Sequence, residues 1–235
     1  MIVYRYFNEQ FGLMALQQTQ WKIGRLLELN DPLDCQPTLL GQGHTEPLLA
    51  KDSPFIRDTH EWPGILCYSA QIDDPVIWSH YAECHRGIAL GFELPPIELF
   101  KVEYRADDAR AQLDYDKFEQ LVRLEPGHAL MKLIAEGFTR KASGWKYEEE
   151  YRQFIFLREC EMIGPHYFRG MPLPHLRRIV LGVNSRITDA DIFRIRSQWK
   201  RAKIEDPHEP WHFEVAKAKI DNLSYKLKIE TQLRE

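Results

Sequence analysis

The chain has 235 residues, of which 44% are hydrophobic, 12% aromatic and 28% charged. That composition can bury a sizeable core and excludes a disordered chain. The formal net charge of −4 excludes a global basic field that would draw the protein onto nucleic acid or an anionic membrane, and leaves only a local basic patch to be considered.

Ile2 to Phe7 alternates apolar and polar residues and reads as a first strand. Asn8 can cap a helix through about Gln18, with Phe11, Met14 and Ala15 on one face. Gln20 to Arg25 reads as a short strand with Trp21 and Ile23 pointing one way, and Asn30-Asp31-Pro32-Leu33-Asp34 as a rigid turn. Residues 35–63 show no periodicity and are expected to form a long, partly ordered loop, a feature often tied to function. Gly64 to Ala70 is apolar enough for a buried central strand. Asp73-Asp74-Pro75 then starts a short helix carrying Val76, Ile77, Trp78, His80 and Tyr81. His85-Arg86-Gly87 turns into a strand over Ile88 to Leu94, and Lys101 to Arg105 is a further strand. Helices are expected over Tyr115 to Leu124 and His128 to Lys141, split at Pro126-Gly127. Tyr147 to Leu157 and Leu176 to Val183 read as strands, and Thr188 caps a helix to about Arg201 with Ile192, Ile195 and Trp199 inward. The rest of the 188–235 segment reads as a terminal hairpin around Asp221-Asn222. Helices and strands mix without regular βαβ alternation. The expectation is one α+β domain over 1–235 with a largely antiparallel sheet.

Cys35, Cys67, Cys84 and Cys160 are scattered, and the Cys and His spacings match no standard zinc site, so no metal is expected. No apolar run approaches the roughly 18 residues a membrane-spanning helix needs. The segment Met1-Ile2-Val3-Tyr4-Arg5 lacks the pattern of a signal peptide. A cytoplasmic protein with free thiols and no membrane partner is the expectation.

The densest chemistry is Trp145-Lys146-Tyr147-Glu148-Glu149-Glu150-Tyr151-Arg152. On a strand, Glu148, Glu150 and Arg152 share one face. Two carboxylates with a guanidinium beyond them can bind a sugar or polarise a hydroxyl, whereas a solvated edge is the plainer reading of such a charge run. Ser69 ends the predicted core strand, but no GxSxG surrounds it, which argues against a hydrolase nucleophile. Arg5 on the first strand needs a counter-charge. Glu150 or Asp31 could supply it, or an anionic ligand could, since a guanidinium suits phosphate. Asn30 and Asp31 form either a plain turn or a ligand-gripping loop. His80 and His85 with the carboxylates could serve a metal-independent nuclease, for which Arg194, Arg196, Lys200, Arg201 and Lys203 are the local basic candidates, although they read better as a solvated helix face.

Several segments occur together in one order: Tyr4-Arg5-Tyr6, Asn30 to Asp34, Cys67-Tyr68-Ser69, Trp78-Ser79-His80-Tyr81 with His85-Arg86-Gly87, and Trp145-x-Tyr147-Glu148-x-Glu150-x-Arg152. From the N-terminus to about Val183 they resemble a bacterial family catalogued as a domain of unknown function, number 2971, sometimes found near phage-defence genes. The resemblance implies a place in a defence or toxin system, with an antitoxin or defence-system partner.

The layout also resembles the ADP-ribosyltransferase fold, in particular the enzymes that modify nucleic acid. That likeness implies a mixed, largely antiparallel sheet split around a cleft with flanking helices, and NAD as co-substrate. It also implies a nucleic-acid or protein acceptor. It implies that Arg5 contacts the NAD phosphates or ribose and that Ser69, beside Tyr68, supports the nicotinamide-side strand. Glu150 would bond the ribose 2′-hydroxyl and stabilise the oxocarbenium ion, while Glu148 orients or deprotonates the acceptor. Trp78 or Tyr81 would stack on nicotinamide, and Asn30, Asp31 and Arg152 would complete the binding set. The aromatic-Ser-Thr-Ser motif of many toxins of that class is absent. The alternative is a non-catalytic sensor or interaction module in which Glu148, Glu150 and Arg152 form a structural ion-pair network.

Overall fold

The computed structural model describes residues 1–41, 44–47, 63–106, 109–123, 128–202, 204 and 212–234. In chain order the elements are β1 (Ile2–Phe7), α1 (Glu9–Gln18), β2 (Gln20–Ile23), β3 (Thr38–Gly41), β4 (His44–Pro47), β5 (Pro63–Ser69), α2 (Pro75–Tyr81), β6 (Ile88–Glu93), β7 (Phe100–Lys101), β8 (Glu103–Arg105) and β9 (Gln112–Asp114). Then follow α3 (Tyr115–Arg123), α4 (His128–Phe138), β10 (Arg140–Ala142), β11 (Glu150–Phe156), β12 (Glu161–Ile163), β13 (His166–Gly170), β14 (Leu176–Leu181), α5 (Asp189–Arg201), β15 (Glu214–Ile220) and β16 (Leu227–Arg234).

The architecture is α+β. An eight-stranded sheet runs in the order β16-β15-β14-β6-β1-β5-β11-β7. Within it only β14 and β15 pair in parallel, and α5 makes the crossover that a parallel pair requires. Helix starts follow local chemistry. Asn8 accepts from the Phe11 amide at 2.7 Å, Asp74 accepts from Val76 and Ile77 with Pro75 opening α2, and Thr188 and Asp191 form a reciprocal capping box on α5.

Strand alternation divides the interior between the two sheet faces. Leu66 and Tyr68 on β5, Ile88, Leu90 and Phe92 on β6, and Ile155 on β11 enter one large core, which α1 and α5 complete with Leu16, Ile192, Ile195 and Trp199. The opposite face carries two separate clusters. One gathers Ile65, Phe154, Phe118, Ile134 and Phe138; the other gathers Trp78, Ala89, Val180 and Ala216. That interruption matters for the site described below.

Several local expectations are corrected. Helix α1 buries Gly12, Ala15 and Leu16, while Phe11 is 57% exposed and Met14 also faces out. The cause is close packing: a Cβ at Gly12 would lie 2.0 Å from Ile88 Cγ2, so the helix turns its smallest residue to the sheet. The 35–63 stretch contains the paired strands β3 and β4 rather than only a loop; residues 48–62 lie outside the described residues, as does the Pro126-Gly127 break. The strand expected over Lys101–Arg105 divides into β7, on the large sheet, and β8, which pairs with β10. The helix expected to reach Lys141 ends at Phe138, and the strand expected from Tyr147 starts only at Glu150. Residues Ser143–Glu148 form a 3₁₀ segment, and Glu149 follows in the left-handed region at φ 42°.

Candidate functional site

β1 and β5 are in register only at Tyr4↔Ser69; farther along β5, Ile65 bridges to Gly24 instead. Where the two strands part, a cleft of about 240 Å³ opens between the two separate clusters of the interrupted face. Its walls are Tyr4, Arg5 and Tyr6 from β1, Asn30, Asp31 and Asp34 from the turn, Cys67, Tyr68 and Ser69 from β5, and Ile77 and Tyr81 from α2. Lys141, Glu148 and Glu150 close it.

The closed end is built by register. β11 pairs antiparallel with β5 so that Glu150 sits opposite Ser69 and Arg152 opposite Cys67. Arg152, fully buried, donates from Nε to Glu150 Oε1 at 2.8 Å and from Nη2 to Glu150 Oε2 at 2.9 Å. Its Nη2 also reaches Asp34 Oδ2 at 2.7 Å, and Nη1 reaches the Phe138 carbonyl at 2.5 Å and Cys35 Sγ at 3.0 Å. Lys141 Nζ lies 2.6 Å from Glu148 Oε2, 3.1 Å from Glu150 Oε2 and 3.4 Å from Asp34 Oδ2. Tyr81 donates its hydroxyl to Glu148 Oε1 at 2.5 Å, and Ser69 donates to the Glu148 carbonyl at 2.5 Å. Three carboxylates thus face two cations in a buried setting, where each pairing is strong and each unpaired charge costly.

The two glutamates are driven apart electrostatically. Burial raises the Glu148 carboxyl above its ordinary value, and the nearby Glu150 charge adds to this; Lys141 opposes the rise without cancelling it. Burial would raise Glu150 as well, but the Arg152 guanidinium and the Lys141 ammonium outweigh it and hold this carboxyl below its ordinary value. Burial lowers Lys141, yet Glu150, Asp34 and Glu148 together outweigh that and keep it charged. The two neighbouring carboxyls are thus shifted in opposite directions, Glu150 down and Glu148 up.

Arg5 has no carboxylate partner among the described residues. Its Nη2 donates to the Lys22 carbonyl at 2.9 Å, and its guanidinium lies 5.1 Å from the Trp21 ring centroid and 5.4 Å from that of Phe7. Nη1 is shielded and has no hydrogen-bond partner. Neither Glu150 nor Asp31 supplies the counter-charge considered from the sequence.

Of the residues expected to form a site, Arg5, Asn30, Asp31, Tyr68, Ser69, Tyr81, Glu148 and Glu150 line one cleft. Trp78 does not. It is fully buried among Ala82, Ala89 and Val180, donates to the Ile72 carbonyl at 2.7 Å and meets Tyr6 edge-on, so it cannot stack on a ligand. Arg152 lies behind the cleft wall as a counter-ion, because β11 alternation turns it into the protein beside Glu150. Glu148 reaches the cluster from the 3₁₀ segment, not from the strand face that would have aligned it with Glu150. Arg196, read as part of a solvated basic face, is buried with its guanidinium 4.9 Å from the Phe213 ring centroid; Lys203 lies outside the described residues.

Sequence reasoning missed Asp34 and Lys141 as site residues. Asp34 carried a signal, the second acid of the Asn-Asp-Pro-Leu-Asp turn. Lys141 carried none. Among the described residues no group of three or more His, Cys, Asp or Glu is arranged to hold a metal ion, and no helix is long and apolar enough to cross a membrane.

No curated protein and no solved structure gave a match to this chain. The family model described as Protein of unknown function (DUF2971) matches residues 77–153, a segment that runs from α2 to β11 and carries Tyr81, Lys141, Glu148, Glu150 and Arg152. Over that segment, about a third of its length, the chain is similar to the DUF2971 family.

Proposed function

We propose that the cleft receives the nicotinamide-ribose end of NAD and that the protein is an ADP-ribosyltransferase or NAD glycohydrolase of a bacterial defence or toxin system. One observation carries this reading: two carboxylates at the closed end of a cleft share one ammonium, and one is held ionised while the other is raised. Breaking the C1′–N bond sends its electron pair onto the nicotinamide ring, which leaves neutral, and builds positive charge on the ribose. A fixed negative charge at Glu150 favours that charge separation. Water or an acceptor hydroxyl or amine then adds at C1′, and its proton passes to Glu148. Arg5 lines the cleft and its Nη1 has no hydrogen-bond partner, so its guanidinium suits a phosphate or ribose oxygen. A cleft of about 240 Å³ is below the range of roughly 300–1,000 Å³ typical of sites that enclose a drug-sized ligand. The adenosine half therefore extends outside.

The test is nicotinamide release from NAD by the purified protein, with Glu148→Gln beside the wild type. Loss of release by about 100-fold or more in the variant, with little change in melting temperature, supports the reading. Wild-type protein that neither consumes NAD nor gains thermal stability from it overturns the reading.

A second reading is favoured by the filled acceptor positions of Glu150, whose two oxygens take Arg152 Nε, Arg152 Nη2 and Lys141. On it, the cluster is a structural network and the protein a non-catalytic sensor or interaction module. Glu148→Gln would then act on stability alone.

A further inference from the structure

Lys141 stands on β10, a three-residue strand paired in parallel with β8. Its side chain is 7% exposed, and the Trp145 ring centroid lies 4.7 Å from Nζ. The two cations of the cluster have different reach. Arg152 bonds Glu150 and Asp34, whereas Lys141 bonds those two and Glu148 as well. Lys141 is thus the link between the two glutamates. Other groups also face Glu148: Tyr81 from α2 donates to its Oε1, Glu150 approaches from β11, and Tyr104 and Tyr147 lie within electrostatic reach.

We propose that Lys141 is the positioning residue that assigns the two glutamates their separate tasks: it holds Glu148 against the cleft and governs when that carboxyl takes up a proton, while Glu150 takes its ionisation mainly from Arg152. This deepens the acid–base reading of the cleft and rests on it for its bearing on catalysis. The electrostatic division itself is testable without any turnover. Without the ammonium, Glu148 keeps the Tyr81 hydrogen bond but faces the Glu150 charge in a poorly solvated site, so its proton is held more tightly. Glu150 retains both guanidinium bonds and moves less.

The experiment follows the carboxyl carbons of 13C-labelled glutamate by NMR titration in wild type, Lys141→Met and Lys141→Arg, with Glu148→Gln and Glu150→Gln giving the assignments. Glu148 is expected to titrate about one pH unit or more higher in Lys141→Met, with a smaller change at Glu150 and recovery in Lys141→Arg. An unchanged Glu148 in folded Lys141→Met, or a larger displacement at Glu150 than at Glu148, overturns the proposal. Should Lys141→Met fail to fold, Lys141→Gln serves the same comparison by keeping a donor and removing the charge. Absence of NAD cleavage would count against the proposed reaction alone, because the titration needs no substrate.

Discussion

The two ends of the large sheet are held together by different physics. At one end β14, α5, β15 and β16 bury Ile179, Ile192, Ile195, Trp199 and Val215, and their stability comes from apolar area and helix caps. At the other end β5 and β11 meet over Asp34, Lys141, Glu148, Glu150 and Arg152. Apolar burial is non-directional, and a missing methyl group costs only about 1 kcal/mol. Breaking a buried ion network costs more, because removing one member leaves another charge desolvated and unpaired. The first region can change its residues and keep its fold; the second keeps costly charges where apolar residues of similar volume would pack as well, which is what a functional demand on the cleft would explain.

The largest effect expected from breaking this contrast is at Arg152. Arg152→Ala strands Glu150 and Asp34 and should cost about 3–5 kcal/mol in denaturant unfolding. Adding Glu150→Gln should recover part of the loss. An isolated Arg152→Ala cost near zero would put the two ends of the sheet on an equal footing.

Acid should act on the charged end selectively. The folded-state value of Glu150 lies below the ordinary value of 4.5, so its stabilising contribution is complete above that range. It is lost as the pH falls below it toward the lowered folded value. Glu148 is raised, so its contribution has the opposite sign and weakens the fold as the pH rises through the ordinary range. Melting temperatures measured from pH 7 down to acid should fall less steeply in Glu150→Gln than in wild type. Parallel curves would show that other carboxylates dominate the acid limb.

The smallest effect belongs to the apolar end. Thr188→Ala removes the cap of α5 and one half of its capping box. The expected loss is about 1 kcal/mol in denaturant unfolding, with no change in its pH dependence. A pH-dependent loss would mean that the two ends communicate.

Much of the scaffold was legible because its causes are local. Asn8, Asp74-Pro75 and Thr188 announce helix starts through bonds that span two or three residues. Alternation placed β1, and a continuous apolar run placed β5. Glu150 of the acidic run lines one cleft with Ser69, Arg5 and Tyr81. Its internal geometry was not legible. A strand reading put Glu148 and Glu150 on one face, but Glu149 is left-handed and Glu148 arrives from a 3₁₀ turn. The stacking role for Trp78 came only from the ADP-ribosyltransferase resemblance; its place on an apolar helix reads as core packing, and it is buried in the core.

The sequence by itself determined where helices begin, which strands are apolar on which face, and that carboxylates crowd one short segment, because these follow from neighbours a few residues apart. Only the tertiary structure decided that Asp34 would meet Arg152 across the fold, that Lys141 would bridge Glu148 and Glu150, and that Arg5 would keep an N–H without a partner. Those outcomes depend on strand register and on where β1 leaves β5, and no local pattern encodes the distance between groups that the chain brings together only when it folds.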